Sequence, residues 1–266
     1  MTLWWLAYPL LGIFAGFIAG LFGIGGGLTL VPILYMIFSA QGFPEAHIMH
    51  LALGTSMATI VLTSIASMRA HQRYGAVRWD VVKGLAPGLV CGTLGGSLFV
   101  GLVPTHFLAM AFTAIVCYAS LQMVLDIKPK PKRGLPGTPG LMMVGALIGI
   151  VSSLVAAGGG FLSIPFMVFC NVAIHQAVGT SAVLGFPIAV AGLVGYLIAG
   201  WGIHGQPPYT VSFVYLPAFV GVIALSIPIA PFGAKLAHSL PVKPLKRGFG
   251  IFLALIATKM LLSLLP

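Results

Sequence analysis

The sequence predicts an all-α integral membrane protein made of two inverted repeats, each a broken-helix hairpin followed by three transmembrane helices. Three observations predict this fold: long apolar stretches without a charge, a triple-glycine segment that occurs twice, and positive charges confined to short connecting segments. Of the 266 residues, 59% are hydrophobic and only 6% are charged, whereas a soluble domain is about one-quarter charged.

The charge-free stretches are long enough to cross a bilayer several times. No Asp, Glu, Lys or Arg occurs in residues 1–44, 46–68, 84–125 or 134–234, and roughly 20 apolar residues suffice for one helical span. The first stretch has no basic region before it and carries glycines of the repeat. We therefore expect a retained membrane segment instead of a cleaved signal peptide, with the lipid bilayer as the surroundings of the protein.

Membrane topology explains the positive charge. Thirteen Lys and Arg residues stand against three acidic residues, which gives a net charge of +10. In a soluble protein this excess would suggest nucleic acid, but here the cations cluster in short loops, as the positive-inside rule requires. We expect no nucleic-acid partner. The three cysteines lie in apolar runs without metal-ligand spacing, so no cofactor or metal is expected.

A glycine-rich segment occurs twice. Residues 23–32, Gly-Ile-Gly-Gly-Gly-Leu-Thr-Leu-Val-Pro, correspond to residues 156–165, Ala-Ala-Gly-Gly-Gly-Phe-Leu-Ser-Ile-Pro, with a shift of 133. Because glycine is unfavourable in a helix interior and tolerates positive φ, each triple glycine predicts a helix break. Backbone left unpaired at membrane depth is tolerated only where protein or a polar cavity covers it. Matched breaks in two halves are therefore a strong sequence indication of a transporter binding site.

The first half is predicted to form five helices, over residues 3–24, 28–38, 47–68, 79–100 and 104–125. Neither of the first two helices is expected to span the membrane readily by itself, so we interpret them as a hairpin of short helices that meet at the break. Glycines recur at intervals of four from Gly12 to Gly20 and from Gly84 to Gly96, a pattern that predicts close helix packing.

A basic, proline-rich segment divides the chain. The predicted boundaries are a first membrane repeat at 1–126, a linker at 127–139 and a second membrane repeat at 140–266. The second half is predicted to repeat the first, with short helices at 141–157 and 161–169 around its triple glycine. In the rest of this half, residues 175–181 correspond to residues 50–56 and Pro217 corresponds to Pro87, and a last span is predicted from about residue 245 to residue 264.

The basic segments predict the orientation of the repeats. They lie at residues 69–83, in the linker and at 235–247, and all three should face the cytoplasm. If each triple-glycine segment were a single span, the last basic segment would face outside. If each is a hairpin that returns to its own side, all three fall inside, the second repeat is inverted, and both termini are outside.

These features resemble a known family, the sulfite exporter TauE/SafE family of bacterial membrane proteins. The resemblance rests on residues 23–32, on Gly54-Thr55-Ser56, on Gly75 with the segment 87–96, and on their partners in the second half. It implies a multi-pass transporter of the cytoplasmic (inner) membrane that exports small sulfur-containing anions. Sulfite, sulfoacetate and related organosulfonates are the substrate class that it implies.

The two breaks are also candidates for an anion site on physical grounds. A helix that begins at membrane depth presents free N–H groups and a partial positive charge, both of which favour an anion. Hydroxyl groups nearby could add hydrogen-bond donors. The alternative is that glycines and hydroxyls only permit close packing. The candidate substrate-binding residues are Gly25, Gly26, Gly27, Thr29, Thr55, Ser56, Gly158, Gly159, Gly160, Ser163, Thr180 and Ser181.

Two histidines are candidates for a response to protons. His50 and His175 each precede a Gly-Thr-Ser segment by four residues, and histidine titrates near neutral pH. Either could instead be a satisfied polar residue at a helix start near the membrane interface. His47 and His50 could share a helix face with metal-like spacing, but the second half keeps only His175, which favours a polar loop end.

The chemistry of the sequence favours transport over catalysis. The three acids, Glu45, Asp80 and Asp126, all lie at predicted ends of spans, so no carboxylate is available at depth as a general base and no enzyme is expected. No Lys or Arg lies deep in an apolar run unless Lys83 reaches inward. A secondary exporter that works by alternating access and a passive anion channel remain alternatives, since both could use the same helix ends. The coupling ion and the oligomeric state stay open.

Overall fold

The computed structural model describes residues 2–23, 25–125, 134–239 and 242–264, and within these ranges the chain is almost entirely helical. The helices of the first half are α1 (Thr2–Phe22), α2 (Gly27–Ala40), α3 (Ile48–Arg73), α4 (Trp79–Val100) and α5 (Thr105–Val124). Those of the second half are α6 (Thr138–Val155), α7 (Gly160–Phe169), α8 (Ile174–Ala199), α9 (Leu216–Ser239) and α10 (Val242–Leu264).

The helices agree with the predicted elements except at three places. α1 contains an apolar stretch of 18 residues that is long enough to span a bilayer, contrary to the expectation that it falls short of a full span. α3 continues past the predicted end at Met68 to Arg73. A short antiparallel hairpin, β1 (Thr210–Val211) and β2 (Val214–Tyr215), forms where no strand was predicted. Residues 127–133 of the predicted linker lie outside the described residues.

Within the described ranges, seven helices are long and apolar enough to cross a membrane: α1, α3, α4, α5, α6, α8 and α9. α2 and α7 are shorter apolar helices. α3 is the most central of the seven, since 83% of its span is buried inside the protein. This fraction places α3 in the middle of the bundle, where it contacts α2, α8 and α9.

α1 and α2 form a hairpin whose tip is the first triple glycine. Near the open end of the hairpin, the side-chain amide of Gln41, just after α2, donates to the hydroxyl of Tyr8 in α1 over 2.8 Å. At the other end of α1, Nε2 of His71 donates to the carbonyl of Gly20 over 2.9 Å. α2 therefore returns toward the start of α1, and the end of α3 lies beside the end of α1.

The two halves pack on each other reciprocally. α1 packs on α9 and α6 packs on α4, and these two interfaces are the most extensive of the molecule. A Cβ on Gly12 would lie 2.3 Å from the carbonyl oxygen of Val222, and one on Gly145 would lie 2.4 Å from that of Leu85. Only glycine permits such an approach, which confirms the predicted packing role of the glycine stripes. α3 also packs on α8, and α5 on α10.

Candidate functional site

The two triple glycines have the same backbone geometry. Gly26 precedes α2 with φ of 78° and Gly159 precedes α7 with φ of 74°, a left-handed conformation that strains other residues. Neither glycine has a side chain that could cap the helix, so the first N–H groups of α2 and α7 are presented by backbone alone. Each break therefore ends in a helix N-terminus that carries partial positive charge.

The first break (residues 23–26) and the second break (residues 156–159) contact each other. A Cβ on Gly25 would lie 3.1 Å from Gly158 Cα and 3.0 Å from the side chain of Ile60. A Cβ on Gly27 would lie 1.7 Å from the carbonyl oxygen of Ala156. Two segments that are 133 positions apart in the sequence thus meet backbone to backbone, and no side chain could fit between them.

Hydroxyl groups from the second half bind the first break. Ser181 Oγ donates to the carbonyl of Gly23 over 2.9 Å, and Ser163 Oγ donates to Ser181 Oγ over 3.2 Å. Both serines are fully buried. Thr29 Oγ1 donates to the carbonyl of Gly26 over 2.6 Å, within the first turn of α2. The structure therefore brings Thr29, Ser163 and Ser181 to the breaks, as the sequence predicts.

Four buried hydroxyls among the described residues have no hydrogen-bond partner, those of Ser56, Thr93, Ser152 and Thr210. Ser56 and Ser152 are the two that matter for the candidate site. Ser56 occupies the position in the first half that Ser181 occupies in the second. Ser152 lies in α6, and its Oγ is 3.7 Å from where a Cβ on Gly159 would be. Sequence reasoning missed Ser152, because the corresponding residue of the first half is Ala19 and no repeated signal marks it.

Thr55 and Thr180 do not join the other candidates at the breaks. The backbone N–H of Tyr215 donates to Thr55 Oγ1 over 3.0 Å, and that of Arg78 donates to Thr180 Oγ1 over 2.9 Å. Each threonine thereby holds the segment that leads into a helix of the other half, α9 for Thr55 and α4 for Thr180.

The glycine before each threonine completes this docking contact. A Cβ on Gly54 would lie 2.3 Å from the carbonyl oxygen of Phe213, and one on Gly179 would lie 2.6 Å from that of Ala76. Each Gly-Thr pair thus binds the segment that precedes a helix of the other half. The glycine lets that backbone come close, and the threonine hydroxyl accepts a hydrogen bond from it. This is the role that the structure gives to the repeated Gly-Thr dipeptide.

His50 and His175 have different surroundings despite their equivalent positions. His50 is buried, with Nε2 3.1 Å from the carbonyl of Val100 and Nδ1 3.2 Å from Thr105 Oγ1, and its ring stacks on Phe213. His175 is exposed at the start of α8. Within the described ranges, no cluster of three or more His, Cys, Asp or Glu side chains is arranged to hold a metal ion.

A cavity of about 70 Å³ adjoins the start of α7. Gly160 and Phe161 line it together with Phe22, Gln122 and Lys246. Lys83 is exposed and does not reach inward, whereas Lys246 places a cation on the wall that the helix N-terminus also lines. Sequence reasoning missed this cation, because Lys246 lies near a predicted helix start and not inside an apolar run.

A larger pocket lies at the open end of the α1–α2 hairpin. Its volume is about 470 Å³. Residues from the hairpin and from the α8–α9 connection line it, among them Trp5, Tyr8, Gln41, Tyr209 and Tyr215. Burial raises the pKa of the Tyr215 phenol, so this hydroxyl is neutral near pH 7. The two cavities thus lie toward opposite ends of the molecule, and the touching breaks lie in its interior.

Broken helices that meet inside a bundle of apolar spans define a class, the multi-pass membrane transporters. The similarity of the sequence to known proteins agrees with this class. The chain belongs to the sulfite exporter TauE/SafE family, whose model matches residues 8–260. The resemblance noted from the sequence is thereby confirmed.

The relatives are described as transporters. A probable membrane transporter protein of Haemophilus influenzae is 39% identical over 255 residues, which cover 96% of this chain and 97% of the relative. One from Methanocaldococcus jannaschii is 26% identical and covers 97% of this chain and 96% of its own length. One from Bacillus subtilis, YdhB, is 28% identical, with 89% and 90% covered. No solved structure matches the chain. The protein is therefore a multi-pass membrane transporter.

Proposed function

We propose that the protein is a secondary transporter that exports small sulfur-containing anions, such as sulfite or organosulfonates, across the cytoplasmic (inner) membrane by alternating access. The observation that carries the proposal is the contact of the two breaks, which directs two helix N-termini into one buried region. Each N-terminus contributes about half a unit of positive charge. The family supports the substrate class.

The proposed site consists of the six glycines of the two triple-glycine segments (residues 25–27 and 158–160) with Thr29, Ser56, Ser163 and Ser181, to which we add Ser152. Ser56 and Ser152 can each donate a hydrogen bond without giving up another. Ser181 and Ser163 would exchange their present bonds for bonds to the anion. Lys246 would attract the anion into the cavity next to Gly160 before it reaches the breaks.

The packing of the breaks favours a carrier over a channel. A passive channel needs a continuous path, but the space beside Gly25 is filled by the backbone of Gly158. An anion between the breaks would therefore require them to separate. Because separation would open one side of the site at a time, this contact favours transport by alternating access over passive flow through a channel.

We also propose that the repeats are inverted. The connection after α8 lies beside the start of α1, since Tyr215 packs against Tyr8. His238 near the end of α9 lies beside His71 at the end of α3. The basic residues Arg69, Arg73 and Lys235 belong to the latter end, which should face the cytoplasm. The N-terminal end of α1 would then be outside.

Cysteine labelling of intact cells tests this orientation. The three native cysteines are first replaced by alanine, and Gln206→Cys and Lys132→Cys are compared with an impermeant reagent. We expect labelling at Gln206→Cys from outside and none at Lys132→Cys. Labelling of the linker position from outside would contradict the inverted arrangement.

Anion flux into proteoliposomes tests the function. Sulfite, thiosulfate, sulfoacetate, taurine, phosphate and acetate are compared, with Gly95→Ala as a matched control because a Cβ at Gly95 meets nothing within 4 Å. We expect saturable flux of a sulfur-containing anion, accelerated by the same anion on the opposite side. Flux that rises linearly with concentration would support the channel. The absence of flux for all six compounds in active control liposomes would refute the proposal.

A further inference from the structure

A histidine pair joins α3 to α9 beside the end of α1. Nδ1 of His71 lies 3.1 Å from Nε2 of His238, and Nε2 of His71 lies 2.9 Å from the carbonyl of Gly20. His71 is fully buried and His238 is half-buried. The Gly20 carbonyl lies one turn before Gly23, whose carbonyl accepts the bond from Ser181 at the first break.

The hydrogen bonds determine where the protons are. A carbonyl only accepts, so Nε2 of His71 carries a hydrogen, and in the neutral ring Nδ1 is then an acceptor. Nε2 of His238 must therefore donate to it. One added proton is compatible with this bond, because either ring can carry it while one facing nitrogen still accepts. Two added protons leave a hydrogen on both facing nitrogens and place two like charges side by side.

The surroundings of the pair give protons a path from the cytoplasmic side. Among the described residues they include no acidic side chain that could neutralise a positive charge on the pair. His238 stacks on Tyr74 at 4.3 Å and on the exposed His175 at 6.0 Å between ring centroids. α1 contributes only its backbone carbonyl here. Arg73 and Lys235, near the same end, are exposed. Exposure thus decreases from His175 through His238 to His71.

The equivalent contact at the other end of the protein cannot respond in this way. In this part of the chain the two halves are related by a shift of 125, as His50 and His175 are. Tyr196, which corresponds to His71 by this shift, donates to the carbonyl of Ser153 over 2.7 Å. Ser153 corresponds to Gly20 by the shift of 133. The position equivalent to His238 is Gly101, by the shift of 137 that relates Pro241 to Pro104. The same backbone contact is therefore made by a tyrosine at one end and by a titratable histidine pair at the other.

We propose that His71 and His238 form a proton-binding site, which holds the ends of α3 and α9 together with at most one added proton and releases them with two. Its part in transport rests on the proposed function above, for which it supplies the coupling ion. Protons would then act on one end of the protein, while the contact of Tyr196 at the other end stays insensitive to pH.

Spin labels test the site directly. With the native cysteines replaced by alanine, Gln72→Cys and Ser239→Cys carry labels next to the two histidines, and dipolar broadening reports their separation between pH 8 and pH 4. We expect the labels to separate toward the acidic end of this range, because release requires the second proton and two like charges side by side oppose its uptake. In His71→Gln, which keeps a donor for Gly20 but takes up no proton, the separation should not depend on pH.

A matched control and a flux measurement complete the test. His204→Gln, at an exposed position of the α8–α9 connection, should behave like the parent protein. Anion flux should change roughly tenfold between pH 8 and pH 4 in the parent and by much less in His71→Gln. Labels that ignore pH in the parent, or that still separate in His71→Gln, would overturn the proton site. Separation without any anion flux would leave the site standing and refute the proposed transport.

Discussion

The two halves of the protein dock on each other through equivalent contacts, but they present different side chains to the breaks. Thr55 and Thr180 hold matching segments of the opposite half at nearly equal distances. Ser181 is hydrogen-bonded to the first break, whereas Ser56, its sequence equivalent, is buried without a hydrogen bond. The backbone contacts of the scaffold are thus the same in the two halves, whereas the hydrogen bonds of equivalent serines differ.

The largest expected effect is at the contact between the breaks. Gly27→Ala places a Cβ 1.7 Å from the Ala156 carbonyl oxygen, where backbone must move. We expect the free energy of unfolding to fall by about 3 kcal/mol, measured as loss of the monodisperse species and of the melting transition in detergent. Gly95→Ala should be neutral or slightly stabilising. A normal melting curve for Gly27→Ala would mean that the breaks are not packed as described.

The next effect concerns the docking threonines. Thr55→Val and Thr180→Val each leave one backbone N–H without its acceptor, so each should cost about 1–3 kcal/mol of stability. Because the two sites share no partner, the effects should add in the double variant. Thermal unfolding measures this sum. Equal stability of parent and variants, together with a joint loss of anion affinity, would instead place both hydroxyls at the substrate.

The asymmetry of the equivalent serines gives a smaller effect. Ser181→Ala removes a bonded hydroxyl and should cost about 1 kcal/mol of stability. Ser56→Ala removes an unpaired hydroxyl and should leave stability unchanged. If Ser56 binds the anion, its loss should weaken apparent affinity about tenfold, or about 1.4 kcal/mol. Calorimetric binding of the best anion separates the two variants. Equal changes of stability and of anion affinity in the two variants would mean that the two serines have the same role.

The smallest expected effect is at the start of α4. Asp80 pairs with Arg78 there, and both side chains are more than one-third exposed. At the equivalent place in the second half, before and within α9, stand Tyr215 and Pro217. Asp80→Asn should therefore lower stability by less than about 1 kcal/mol, and high salt should abolish the difference. A larger, salt-independent loss in thermal unfolding would give this pair a structural role.

The sequence was informative where the signal is local or repeated. Charge-free runs marked most of the spans, and the triple glycines marked both breaks, because these features act through the chain's own backbone. The docking role of Thr55 was not predictable, since its partner Tyr215 is 160 positions away. The same is true of His71 and His238, which are 167 positions apart. In a bundle of helices, composition defines each helix but does not specify its neighbours.

The packing of α1 on α9 has a consequence for the synthesis of the protein. The glycine face of α1 at Gly12 and Gly16 is complementary to the backbone at Val222 and Ser226, which leaves the ribosome some two hundred residues later. Until then this face of α1 can only contact lipid or a temporary helix partner. Because such distant pairings form slowly, the first half should remain open to membrane quality control until α9 is inserted, and chains that end before Leu216 should be degraded as incomplete.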